Sequence, residues 1–175
     1  MFFNPSFCSL LRPHPILYTA SHSYEVNKMV VQLRLLSGRA RLGTLLRHFN
    51  TGNTGVCELC CTEVEDLTHF LLPRCPKLQE RSDFLINYMQ TLLGASPVCQ
   101  QILDNVILTS RRSLATLKEQ EHWVQFVLDC SVLPSVVEAS RADASVLPLL
   151  FKITRTWCYS LHRTRLKLLG RWSFK

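Results

Sequence analysis

A chain of 175 residues, 47% apolar and 19% charged, has enough material to bury one core and is too apolar to stay disordered. No window approaches the roughly 18 uninterrupted apolar residues of a membrane span. The formal net charge of +7 is uneven: Lys and Arg exceed Asp and Glu by 5 over residues 1–56 and by 7 over 151–175, whereas acids lead by 4 over 57–110 and by 1 over 111–150.

Pro5, Pro13 and Pro15 punctuate residues 1–23, which read as an extended arm. The opening MFFNPSFCSLL is interrupted by Arg12, Pro13 and His14 and has no basic leader, so neither a signal peptide nor a membrane partner is expected. Through YEVNKMVVQLRLL, residues 24–36, Val26, Met29, Val30, Leu33 and Leu36 recur at helical spacing. Ser37-Gly38 breaks that helix, and Leu42, Leu45, Leu46 and Phe49 predict a second, short one. TGNTG is a loop by composition and leads to Cys57.

After the cysteine cluster, KLQERSDFLINYMQTLLG places Leu78, Ser82, Leu85, Met89 and Leu92 on one stripe and closes on Gly94. The run VCQQILDNVILTS after Pro97 is ambiguous in type. Residues 114–133 predict a helix ended by Pro134. In the last segment Val146, Leu149, Leu150, Ile153, Trp157 and Leu161 share one side of a helical wheel, and Lys152, Arg155, His162 and Arg163 gather on the other as a basic exposed stripe. With no alternating strand series, the expected fold class is mostly α: a small helical bundle with an embedded Cys3His knuckle. Its organisation is expected to be an arm over 1–23, a helical domain over 24–110 that includes the knuckle at 57–75, and a C-terminal helical segment with a basic tail over 111–175.

The stretch VCELCCTEVEDLTHFLLPRCP, residues 56–76, holds four of the eight cysteines and one of the six histidines. Cys57-x2-Cys60-x8-His69-x5-Cys75 supplies three thiolates and one imidazole, the soft four-ligand set that a structural Zn²⁺ prefers. Cys57-x3-Cys61 is also sterically acceptable, but the spacing to Cys60 is the commoner one. Glu65 and Asp66 are placed to cap a short helix starting near Leu67, and the triplet Phe70-Leu71-Leu72 to anchor the knuckle. An intracellular, reduced setting is expected, with nothing to separate nucleus from cytoplasm; there Cys8, Cys99, Cys130 and Cys158 read as small core hydrophobes.

A closed four-ligand site leaves no open position for water, so it argues for structure over catalysis. The chain has no G-x-S-x-G, H-E-x-x-H or G-x-x-x-x-G-K-[ST], and no P-D…[DE]-x-K-like carboxylate set of a nuclease. SGRARLG does not match a dinucleotide-binding loop, and the adjacent Glu65-Asp66 pair is better explained by capping than by acid/base work.

Three stretches resemble the C-terminal region of reverse transcriptase polyproteins from non-LTR (LINE-type) retrotransposons. VQLRLLSGRARLGTLLRHF looks like the family's segment before its zinc knuckle, and CELCCTEVEDLTHFLLPRCPKLQERS resembles its C-x-x-C…HFLL…CP signature. FVLDCSVLPSV with TRTWCYSLHRTRLKLLGRW is similar to the tails of some animal elements. The resemblance implies Cys57, Cys60, His69 and Cys75 as ligands. It departs from the common pattern in having five residues, not four, before Cys75. A polymerase palm with its Tyr/Phe-x-Asp-Asp turn is absent from the chain, so no enzyme activity is expected.

Two readings of function follow. In the first, a zinc-stabilised module binds RNA or DNA through phosphate contacts from Arg34, Arg39, Arg41, Arg47, Lys152, Arg155, Arg163, Arg165, Lys167 and Arg171, with aromatic stacking from Tyr159 or Trp172. Trp157 lies on the apolar stripe and is expected in the core. In the second, an apolar stripe around Met29, Leu33, Leu85 and Met89 docks on a polymerase core or another protein. A decayed element fragment with no selected function is a further alternative.

Overall fold

The computed structural model describes residues 14–18, 22–49, 52, 54–72, 74–78, 90, 94, 96–102 and 117–171. Among these, the chain forms α1 (Ser23–Leu36), α2 (Gly43–Phe49), α3 (Leu67–Leu71), α4 (Leu117–Asp129), α5 (Pro134–Ala142) and α6 (Val146–Leu168), with 3-10 turns at Pro15–Tyr18 and Cys130–Val132. No strand occurs among the described residues beyond an isolated bridge between Val56 and Val64, so the fold is mostly helical. No described helix is long and apolar enough to cross a membrane.

α6 is the axis of the molecule. α1 packs along it most extensively and α4 next, while α3 and α5 contact it over shorter stretches. Val146, Leu150, Ile153, Trp157 and Leu161 are buried as their spacing requires, whereas Leu149 is only partly buried at the margin. Trp157 stacks edge-on against Trp123 of α4 at 5.3 Å between centroids, and Trp123 donates its Nε1–H to the Leu71 carbonyl at the end of α3. That bond satisfies one of the carbonyls a short helix leaves orphaned.

The buried face of α1 differs from the expected stripe. Lys28, Val31, Gln32 and Leu35 point inward, Val26 is exposed, and Met29, Leu33 and Leu36 pack at the edge of the core. Polar anchoring sets this rotation. Gln32 Nε2 donates to the carbonyls of Val127 and Leu128, at 2.8 and 3.2 Å, and reaches Thr154 Oγ1 at 3.1 Å, which ties α1 to both α4 and α6. Lys28 Nζ binds Glu25 at 2.8 Å and Thr156 Oγ1 at 3.3 Å, with its ammonium 4.4 Å from the centre of the Tyr24 ring.

Other expectations are corrected in the same way. Phe49 does not join an apolar face in α2, being 83% exposed. Pro134 opens α5 at a first-turn position, where its missing N–H costs nothing, as well as closing the preceding turn. Part of the expected extended arm is packed: Pro15–Tyr18 form a 3-10 turn, Ile16 is fully buried, and His14 bonds Asp129 at 3.1 Å. Burial raises the Asp129 pKa, but the bonds from His14 and Ser131 outweigh it and leave the carboxyl below its usual range. The ambiguous segment after Pro97 is helical over residues 97–102. Cys99, Cys130 and Cys158 are buried thiols in the core. Cys8, Ser82, Leu85, Met89, Leu92 and Trp172 lie outside the described residues, so of the expected docking stripe only Met29 and Leu33 are described, and both pack against the core.

Glu65, expected as a helix cap, is instead a buried junction. Its carboxylate takes two donors from Arg165, with Nε at 2.5 Å and Nη2 at 2.7 Å, and a third from the Gly43 N–H at 2.9 Å. Its carbonyl accepts from the Thr44 N–H at 3.1 Å. Gly43 permits this approach because a Cβ there would lie 2.3 Å from the Gly55 carbonyl oxygen.

Glu65→Gln leaves a buried guanidinium without its counter-charge and is expected to lower unfolding free energy by about 3–5 kcal/mol. A Glu65→Leu/Arg165→Met double variant recovers much of that loss. Denaturant titration checks both, and a Glu65→Gln variant as stable as the parent would remove Glu65 from this role. Gly43→Ala is expected to cost about 1–3 kcal/mol by overpacking.

Candidate metal centre

The knuckle starts from a tight turn. The Cys57 N–H donates to the Glu63 carbonyl at 2.8 Å and the Cys61 N–H to the Cys57 carbonyl at 2.9 Å, which folds residues 57–63 back on themselves. Cys61 occupies the left-handed region, with φ 58°, and its exposed side chain points to the Glu58 carbonyl. The turn therefore rotates Cys60 inward and Cys61 outward, settling which of the two neighbours faces the cluster.

Asp66 caps α3 by accepting from the His69 N–H at 2.6 Å. This presents His69 in the first turn with its ring buried toward the cysteines. Phe70, Leu71 and Leu72 bury their side chains in the core and anchor the helix. At Leu72 the backbone is extended, and a new helical turn at residues 76–78 begins directly behind Cys75. The five-residue interval still brings Cys75 home.

The result is a cluster in which one ligand atom each from Cys57, Cys60, His69 and Cys75 lies within 4.8 Å of every other. Cys57 and Cys75 sulfurs are 4.0 Å apart, and the Cys60 sulfur is 3.4 Å from His69 Nε2. A disulfide needs about 2.05 Å, and all described cysteines are free thiols. Three thiols and an imidazole converging in one largely buried spot are the donor set of a four-coordinate soft metal site, and the group can hold a metal ion.

The surrounding groups suit that use. His69 Nδ1 faces Glu63 Oε2 at 3.2 Å, which assigns the proton to Nδ1 and leaves the Nε2 lone pair toward the sulfurs. Burial raises the Cys60 pKa, but bonds from Thr62, the Glu63 backbone and Cys57 outweigh it and bring the thiol down to about 6. Burial pushes Cys57 up to about 12, and it also raises Cys75. Three thiolates cannot ionise together here without a cation among them. A bound cation inverts that preference.

The expected nucleic-acid contacts divide. Arg34, Arg39, Arg41, Arg47, Lys152, Lys167 and Arg171 are exposed and Arg163 is half-buried. Arg155 and Arg165 are corrected. Arg155 is 1% exposed and pairs with Glu25 at 3.4 Å, and Arg165 is 3% exposed and pairs with Glu65, so neither guanidinium reaches a phosphate. Arg155 lies on the expected basic stripe but is covered from α1, and Arg165, expected as a phosphate contact, is covered by the knuckle. Trp157 is fully buried and Tyr159 is half-buried against Tyr24, so of the described candidates neither offers a free stacking face. The periodicity missed Glu63 and Glu65 as partners of His69 and Arg165, because neither pairing leaves a repeat or motif in the chain.

Fold and cluster together define a mostly helical protein with a Cys3His group of metal-binding geometry. Compared with known proteins, the chain matches no family model, no curated protein and no solved structure.

Cys60→Ser is expected to abolish stoichiometric metal binding, while Cys61→Ser retains about one ion per chain. Glu63→Gln should weaken metal affinity about 10- to 100-fold by freeing the His69 ring. Metal analysis and chelator competition read both. Equal metal loss from the two serine variants would overturn the Cys60 assignment.

Proposed function

We propose that the chain is a non-catalytic, zinc-binding accessory module that binds RNA or DNA, of the kind its resemblance to the knuckle region of non-LTR retrotransposon polyproteins suggests. The observation that carries the reading is the joining of the Cys3His group, through the buried Glu65–Arg165 pair, to a helix whose exposed end is basic. Zinc suits the donors: at about 2.3 Å per Zn–S bond, tetrahedral sulfurs sit about 3.8 Å apart. The Cys57–Cys75 separation of 4.0 Å is within a few tenths of that.

A closed site of this type contributes folding energy and presents no open coordination position. Glu58, Glu63, Glu65 and Asp66 make the knuckle itself acidic, so it is the scaffold and not the contact surface. Phosphates are met instead by Arg34, Arg39, Arg41, Arg47, Lys152, Lys167 and Arg171, with Arg163 at the edge. Each neutralised phosphate releases counterions, which makes affinity steeply dependent on salt and indifferent to base order. Phe49, exposed beside Arg47, supplies a sequence-tolerant stacking face.

The test is oligonucleotide binding by the zinc-loaded chain between about 50 and 200 mM salt. Six phosphate contacts predict roughly a 10³-fold loss of affinity over that range. Scrambling the oligonucleotide should change little, and chelation should remove helicity and binding together. Absence of binding at low salt, or binding insensitive to salt, would remove the nucleic-acid reading.

A further inference from the structure

At one end of the molecule α1 and α6 both stop on a left-handed glycine. Gly38, with φ 69°, lets the chain return so that the Arg39 and Ala40 N–H groups donate to the Arg34 carbonyl at 2.8 and 2.9 Å. Gly170, with φ 65°, does the same for Arg171, whose N–H donates to the Leu166 carbonyl at 2.9 Å. The two returns border one cavity of about 500 Å³. Arg34, Arg39, Arg41, Arg165, Arg171 and His162 line it, and no carboxylate among the described residues does.

Two of these cations have counter-ions from the knuckle. Arg165 is paired with buried Glu65, and Arg171 meets Glu58 at 2.9 Å across a partly exposed contact. Arg34, Arg39 and Arg41 pair with no carboxylate among the described residues. The two helix C-termini bring about half a negative charge each, roughly one unit against three. The cavity therefore carries a net positive field. His162 senses it: burial lowers its pKa first, and Arg165 and Arg34 lower it further.

We propose that this cavity is a phosphate-binding site that seats one phosphoryl group of a nucleic-acid strand among Arg34, Arg39 and Arg41, with Glu58 as the internal anion that the phosphate displaces from Arg171. The source of the phosphoryl group rests on the nucleic-acid reading above; the site itself rests on the cavity and its charges. Glu65 remains on Arg165, since that pair is buried and bidentate, and it holds the back wall in place. Glu58 can let go, because exposed ion pairs are weak and screened. The knuckle thus steadies one wall of the site through Arg165 and competes with the phosphate for Arg171.

The experiment uses the full, zinc-loaded chain with inorganic phosphate and with a mixed-sequence single-stranded decamer bearing either a 5′-phosphate or a 5′-hydroxyl. Inorganic phosphate is expected to shift the His162 ring resonances saturably and to raise the His162 pKa, and an Arg39→Gln/Arg41→Gln variant with unchanged circular dichroism should lose that response. The same variant should reduce the slope of log K against log salt for the decamer by roughly 2. Glu58→Gln should tighten decamer binding about two- to fivefold, whereas Glu138→Gln, an exposed acid on α5, should not. Preference for the 5′-phosphate would assign the site to a strand end, and equal binding to an internal diester.

A decamer that binds with its salt slope indifferent to Arg39 and Arg41, and a His162 resonance unmoved by phosphate, would overturn the cavity while leaving the nucleic-acid reading intact. A phosphate response at His162 without decamer binding would do the reverse.

Discussion

The buried pair between Glu65 and Arg165 is the constraint on which the arrangement of this protein rests. The two residues are 100 positions apart, and their contact joins the acidic knuckle to the basic final helix through two charge-assisted hydrogen bonds. Removing both charges from water costs several kcal/mol per ion, and only near-complete hydrogen bonding offsets that. Here the carboxylate also receives the Gly43 N–H, and the Glu65 backbone bonds Thr44 and Gly55. One side chain therefore orients α2, the knuckle and α6 together. Gly43 is part of the same constraint, since a side chain there would hold the loop at Gly55 away.

That junction divides the labour between two kinds of charge. The Cys3His cluster concentrates donors whose pKa values pull apart when they share a buried space, with Cys60 low and Cys57 and Cys75 high. Such a cluster can hold a cation. The α3 helix beside it is one short turn and a half, too brief to stand alone, and it is held by the Asp66 cap, the apolar triplet and the Trp123 bond. Three of the knuckle's carboxylates are engaged by other side chains. Glu63 holds the His69 ring, Glu65 holds Arg165, and Glu58 holds Arg171.

Positive charge is sorted by depth in the same way. Arg155 and Arg165 act as internal struts, while Arg34, Arg39 and Arg41 collect around a cavity at the ends of α1 and α6. Two of the 20 basic residues are spent inside the fold, each beside a carboxylate, so fewer cations meet a partner although the net charge of +7 is unchanged. What remains is concentrated by two glycine turns that fold the chain back at matching helix ends.

The helical class, the short knuckle helix, the core positions of α6 and the four cluster residues were legible in the chain, because each depends on local spacing: a period of 3.6, a capping aspartate, a pair of cysteines two apart. The choice between Cys60 and Cys61 was not, since both spacings are sterically open and only the left-handed turn at Cys61 turns one sulfur in and the other out. Nor was the rotation of α1, which buried Lys28 and Gln32 in place of Val26, because the partners of Gln32 lie on α4 and α6. Arg155 and Arg165 read as solvent-facing cations because a helical wheel assumes one covered face. α6 is covered on more than one, and which of its cations touch water was decided only when α1 and the knuckle packed against it.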